Sequence, residues 1–264
     1  MSQSVGQATY HSMPSMSCRL CRAPAPLRKS HILPEFMYTE TYERETHTAV
    51  SVSSDPRHRS VLPVQKGLHE RLLCADCETR FSRLESYAAS ILFRASAAAE
   101  AVADSGTYPP IARIEPFDYS TFKLFGMSLL WRMGESSVFM FRPVRLGPHA
   151  ERLRSMLLAD NPGQPHEYPL ILVRIAGVDF APRMLTGPGA TRFGSSQVRA
   201  YMLKAMGFEW ILLASAQTGE IGRHLFCVGN SPGALLIPVH HRERGEFIEE
   251  LRRHIPALRH RPSS

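Results

Sequence analysis

The sequence predicts an α+β chain in two parts: a cysteine-bearing module of β-hairpin plus helix over residues 18–105, then a mixed α/β region over residues 110–255. Three observations predict it. Two Cys-x-x-Cys pairs, Cys18/Cys21 and Cys74/Cys77, bracket a stretch that mixes alternating residues with turn formers. A helical spacing of apolar residues begins at the second pair. Beyond Pro110, helical patterns give way to apolar strand-like runs. Residues 1–17, small and polar, read as a flexible N-terminus, and residues 256–264 as a basic tail.

The elements follow in order. Residues 39–67, "TETYERETHTAVSVSSDPRHRSVLPVQKG", suit a β-hairpin with a polar loop. Phe81, Leu84, Tyr87, Ala88 and Ile91 then recur at helical spacing up to the breaker "DSGTYPP". "STFKLFGMSLLWRMGES" reads as an apolar helix with Phe122, Phe125, Leu129 and Leu130 on its core face. "GPHAERLRSMLLADNPG" is a second helix, closed by Asn-Pro-Gly. "YPLILVRIAGV", "FEWILLAS", "HLFCVGN" and "ALLIPVH" read as strands, His240-His241 as a loop, and "GEFIEELRRHI" as an amphipathic helix. Met127, Trp131 and Met133, spaced along the first of these helices, read as packed core.

Composition bounds the function. With 44% hydrophobic residues the chain can bury a sizeable core, and its net charge of +7 suits an anionic partner without requiring one. The first residues lack a basic start and an apolar core, and no apolar run approaches the ~20 residues of a membrane helix. A cytoplasmic location and no membrane partner are the expectations. In that compartment thiols stay reduced, so paired cysteines favour metal over disulfide. No internal repeat, Gly-rich phosphate loop or nucleophile–base pair at informative spacing stands out.

Four of the five cysteines form the two pairs, an arrangement in which two knuckles close a tetrahedral thiolate cage around zinc. Residues 22–73 are too long for the loop of a compact ribbon and need structure of their own. A site filled by Cys18, Cys21, Cys74 and Cys77 leaves no position for water, so its zinc is structural. Cys227, alone in an apolar run, reads as a buried core residue.

A knuckle, a hairpin carrying a histidine and a second knuckle opening a helix describe a treble clef. With "CRLC", "SHILPEF" and "LLCADCETRF", residues 18–90 resemble the zinc-stapled branch of the HNH endonuclease family. The resemblance implies a zinc-bound treble-clef module that hydrolyses phosphodiester bonds in DNA or RNA. It assigns His31, at the end of the first hairpin strand, as general base, and Glu78, just after the last cysteine, as a ligand for catalytic Mg2+ or Mn2+. The match departs from the family pattern at Ser30, where an acid is common, at Glu78, where His or Asn is common, and in having no Asn between Cys18 and Glu78. A catalytically inactive treble clef that binds nucleic acid or a protein is the alternative.

Each of these residues also has a plainer reading. His31 can orient a thiolate from beside the knuckle. Glu78 suits the first turn of a helix through the dipole alone. His47 and His58 lie in a polar loop, His69 is a third candidate for the same cleft, and Lys66, Arg71, Arg80 and Arg83 suit either phosphates or solvent.

Overall fold

The computed structural model describes residues 17–42, 48–52, 61–65, 67–103, 110–176, 184–193, 197–218 and 221–241. The strands β1 (Lys29–His31), β2 (Thr48–Val52), β3 (Val61–Gln65) and β4 (His69–Arg71) make two separate antiparallel pairs, β2 with β3 and β1 with β4. The hairpin expected over residues 39–67 is β2–β3, with Thr48 opposite Gln65. The strand carrying His31 pairs outside it, with Ser30 opposite Glu70 and His31 opposite His69.

Helix α1 (Ala75–Ala103) begins inside the second cysteine pair, with Asp76 and Glu78 in its first turn, where carboxylates complement the helix dipole. Cys77, Phe81, Leu84, Ala88, Ile91, Ala95 and Ala99 make one buried stripe at three- and four-residue intervals. Tyr87, which shares the helical spacing in the sequence, is only half-buried, and its hydroxyl accepts the Asp118 N–H at 2.6 Å. That contact keeps the polar end of the ring at the surface.

Helix α2 (Tyr119–Glu135) is capped by Asp118, whose side chain accepts the Thr121 N–H at 3.2 Å. All residues from Phe122 to Met133 are buried, so α2 is a central helix with no solvent face. Met127, Trp131 and Met133 are packed core, and Lys123 and Arg132 are basic side chains carried inside with them. Helix α3 (His149–Leu158) packs against α2 and reaches the first cysteine pair, where Arg154 donates to the Leu20 carbonyl at 2.7 Å and Glu151 pairs with Arg22.

Behind α2 lies a six-stranded sheet. Its strands β5 (Ile111–Ile114), β6 (Leu170–Ala176), β7 (Gly189–Phe193), β8 (Val198–Ala205), β9 (Phe208–Leu213) and β10 (Leu235–His241) run in the order β5-β10-β6-β9-β8-β7. Only β10 and β6 are parallel; the other neighbours are antiparallel. Trp210 of β9 joins sheet to helix, its ring centroid 6.4 Å from Phe122 and 6.0 Å from Phe125. Gly126 permits that approach, since a Cβ there would stand 2.6 Å from Leu170 Cδ2.

The sheet contains strands the sequence reading did not single out, β5, β7 and β8. Strand β8 turns into β9 through Met206 and Gly207, both at positive φ (55° and 74°), the geometry that matches hairpin twist. Two expectations are corrected. "HLFCVGN" is a run of turns in which Cys227 makes one isolated bridge to Ile171; the Gly229 φ of 99° is incompatible with a continuous strand. His240-His241 is not a loop but the end of β10, opposite Ile175 and Ala176. The N-terminal residues 1–16, the expected helix "GEFIEELRRHI" and the basic tail lie outside the described residues, as do His47, His58 and Lys66.

One contiguous apolar cluster runs from Cys18 to Val239 and includes residues of α1, α2, α3 and the sheet. The first helix therefore shares its core with the second part of the chain. Among the described residues, no helix is long and apolar enough to cross a membrane.

Candidate functional site

The two cysteine pairs meet because the chain segments that carry them are hydrogen-bonded together. Around the first pair the chain reverses: the Arg22 N–H donates to the Cys18 carbonyl at 2.8 Å and the Cys18 N–H to the Ala23 carbonyl at 3.0 Å. Arg22 takes the left-handed conformation (φ 64°) that this turn requires. The Arg19 N–H then donates to the Leu72 carbonyl at 2.9 Å and the Arg28 N–H to that of Leu73 at 2.7 Å, binding the first knuckle to the segment that ends in Cys74. Cys77 follows in the first turn of α1.

The ligand atoms of Cys18, Cys21, Cys74 and Cys77 all lie within 4.8 Å of one another, and Cys21 Sγ is 3.8 Å from Cys74 Sγ. A tetrahedral site with metal–sulfur bonds of ~2.3 Å has sulfur–sulfur edges of ~3.8 Å, so the four thiols fit a metal ion such as zinc. Burial opposes ionisation of Cys18, but backbone N–H groups of Cys74, Cys21 and Leu20 directed at its sulfur bring its pKa down to about 7. Burial pushes the Cys21 and Cys77 thiols up. Crowded thiols of this kind ionise together only with a cation among them. Cys21, the half-buried member, lines a groove of about 540 Å³ with Pro24, Pro26 and Arg28.

A polar cluster lies on the neighbouring side of β1 and α1. The His31 side chain is 30% exposed, with its Nε2 4.0 Å from Glu35 Oε2 and its ring 6.1 Å from that of His69. Ser30 is fully buried and accepts the Leu73 N–H at 3.2 Å, which explains why a small hydroxyl suits this position. Glu78 is half-buried beside Ser30, and one of its oxygens, Oε1, is buried without a hydrogen-bond partner. Burial raises its pKa, opposed by the Ser30 hydroxyl and by the positive charge of Arg132. A buried carboxylate oxygen in that state is stabilised by a proton or by a cation.

His31 and Glu78, separated by most of the module in sequence, thus share one electrostatic neighbourhood. Other candidates are already engaged. Arg71 donates to the Leu27 carbonyl at 2.7 Å. Arg80 closes the end of α3, donating to the Leu157 and Leu158 carbonyls at 3.3 and 3.0 Å and pairing with Asp160 at 2.9 Å. Arg83 stays exposed.

No protein family, curated protein or solved structure matches the chain.

Three residues of the cluster were not marked by the sequence reading. Glu35 sits in the single helical turn Glu35–Met37 that Pro34 opens, four residues beyond His31. Glu85 lies two turns beyond Glu78 on α1, and Arg132 lies within α2. The signals were present: the i,i+4 and i,i+7 spacings for the acids, and for Arg132 a charge inside "SLLWRM".

Proposed function

We propose that this chain is a metal-dependent nuclease of the HNH type, built on a treble-clef frame. In this reading Cys18, Cys21, Cys74 and Cys77 hold a structural zinc, and His31 and Glu78 serve hydrolysis of phosphodiester bonds in DNA or RNA. The observation that carries it is a Glu78 whose Oε1 is buried and without a hydrogen-bond partner, within electrostatic range of a partly exposed His31, beside the cysteine cluster.

His31 is the base. Its exposed ring takes a proton from the attacking water, and Glu35, 4.0 Å from Nε2, favours the resulting imidazolium. Glu35 thereby supplies a carboxylate that position 30 lacks. Glu78 offers hard oxygen ligands for Mg2+ or Mn2+, which when bound supplies charge stabilisation at the phosphate. A second reading, a treble clef that binds nucleic acid or a protein partner without cutting, draws on Ser30, whose buried hydroxyl serves the frame.

The test is cleavage of plasmid, single-stranded DNA and RNA by purified protein with Mg2+, Mn2+ or EDTA. Metal-dependent cleavage that falls ~10²- to 10⁴-fold in His31→Ala, with zinc retained, is the expected result. Zinc-loaded, folded protein that cuts none of these substrates would overturn it. Retention of nucleic acid that weakens with salt would then select the binding reading.

A further inference from the structure

Arg132 has no counterpart in the motif that suggested a nuclease, because it lies in α2, more than fifty residues beyond the last cysteine of the site. It is 2% exposed. Its Nη1 donates to the backbone carbonyl of His31 at 2.8 Å and to Glu85 Oε1 at 2.7 Å. Nε and Nη2 turn back on Ser128, to its carbonyl and its Oγ, both at 3.4 Å, and the guanidinium carbon lies 5.3 Å from the Phe81 ring centroid. One side chain thus ties the end of β1, the middle of α1 and α2 together.

From this geometry we infer that Arg132 is the positioning residue for His31, and that α2 is part of the site. The strand β1 is only three residues long, so its own ladder fixes the His31 main chain weakly. A charged donor on the His31 carbonyl supplies the missing constraint, stronger than a neutral hydrogen bond. Glu85 neutralises the guanidinium and is itself only partly exposed, so Arg132 is not a free cation available to phosphate. The planar fork matters: lysine at this depth would offer one point charge in place of a fixed pair of donors and the stacking on Phe81. The consequence is that residues 18–105 lack the group that sets their proposed base.

The activity arm of this inference rests on the nuclease reading; its spectroscopic arm does not. The experiment compares full-length wild type, Arg132→Lys and the double variant Arg132→Met/Glu85→Gln, which leaves no unpaired buried charge if the lysine variant fails to fold. Zinc content and melting temperature establish folding. The ring Cε1–Hε1 signal of His31, assigned with His31→Gln, and the Trp210 indole signal are then recorded by NMR, and cleavage is measured with saturating Mg2+. A shifted His31 signal with an unmoved Trp210 signal is expected, with kcat reduced roughly 10²-fold and KM little changed. A folded, zinc-loaded variant whose His31 signal is unmoved overturns the assignment, whatever happens to kcat. A wild type that cuts nothing overturns the nuclease reading, and the His31 signal then decides the positioning role by itself.

Discussion

Around the cysteines, the strand pair β1–β4 is three residues long on each side, and the first knuckle has no regular element of its own. In the sheet, strands β6, β8, β9 and β10 run six to eight residues and pack Trp210, Phe208, Tyr201 and Leu172 into the core. The two regions are ordered by different physics. The sheet region is held by apolar area, spread over many side chains and tolerant of any one contact. The cysteine region also buries Leu20, Ile32, Leu33 and Leu73 in the same core, but its short segments are fixed in addition at points: four sulfurs, the Arg132 fork, the Arg154 contact to Leu20 and the Glu70 contacts to the end of α2. A point-held region fails abruptly when its point is lost, whereas an area-held region fails in proportion.

The strongest way to break that comparison is metal removal. Structural zinc contributes ~10–16 kcal/mol of apparent folding energy in small thiolate sites, far more than any single core side chain. Chelation, or Cys77→Ser, is expected to abolish hydrogen-exchange protection of the amides that join the knuckles, Arg19 and Arg28 among them. The β8–β9 ladder should keep its protection. Equal loss in both regions would show that the shared core makes one cooperative unit and that the distinction is false.

Next in size is a cavity in the sheet region. Trp210→Ala removes a fully buried ring that meets Phe122 and Phe125, at an expected cost of ~3–5 kcal/mol in urea unfolding. Zinc content should be unchanged. Loss of zinc from a folded Trp210→Ala variant would mean that the core transmits strain into the cysteine cluster.

The same contrast governs what the sequence disclosed. Helices α1, α2 and α3 were legible because their apolar spacing is local, and the cysteine cluster because two Cys-x-x-Cys pairs match metal-ligand spacing. His31 and Glu78 were marked, since they lie next to that signature. Strand β5 was not, because its partner β10 is distant in sequence, and β7 and β8 were not, although they pair with their sequence neighbours, because the Met-Gly turn between β8 and β9 carries a weak signal. Cys227 was read in a strand because its run is apolar, although the backbone there turns. Arg132 and Glu85 were invisible as a pair, being forty-odd residues apart and joined only by the packing of α2 on α1.

The smallest effect tests the point contacts directly. Glu70 of β4 accepts from Ser136 Oγ at 2.9 Å, from the Ser137 N–H at 2.8 Å and from Ser137 Oγ at 2.7 Å, pinning the β1–β4 pair to the chain just beyond α2. Burial opposes its ionisation, but these donors and the positive charge of Arg19 hold its pKa below the usual carboxylate value of 4.5. A group whose folded pKa is depressed adds stability above the unfolded pKa and loses it as pH falls through the folded one. Glu70→Gln keeps the shape but gives up the charge and one acceptor, so it should cost ~1–3 kcal/mol at pH 7. The gap between wild type and variant should hold down to about pH 5 and narrow toward pH 3, as the unfolded carboxyl takes up its proton ahead of the folded one, whose pKa is depressed. Urea unfolding at both pH values measures it. A gap that persists unchanged at pH 3 would mean that the hydrogen bonds act through shape alone, and that charge contributes nothing to holding the cysteine region onto α2.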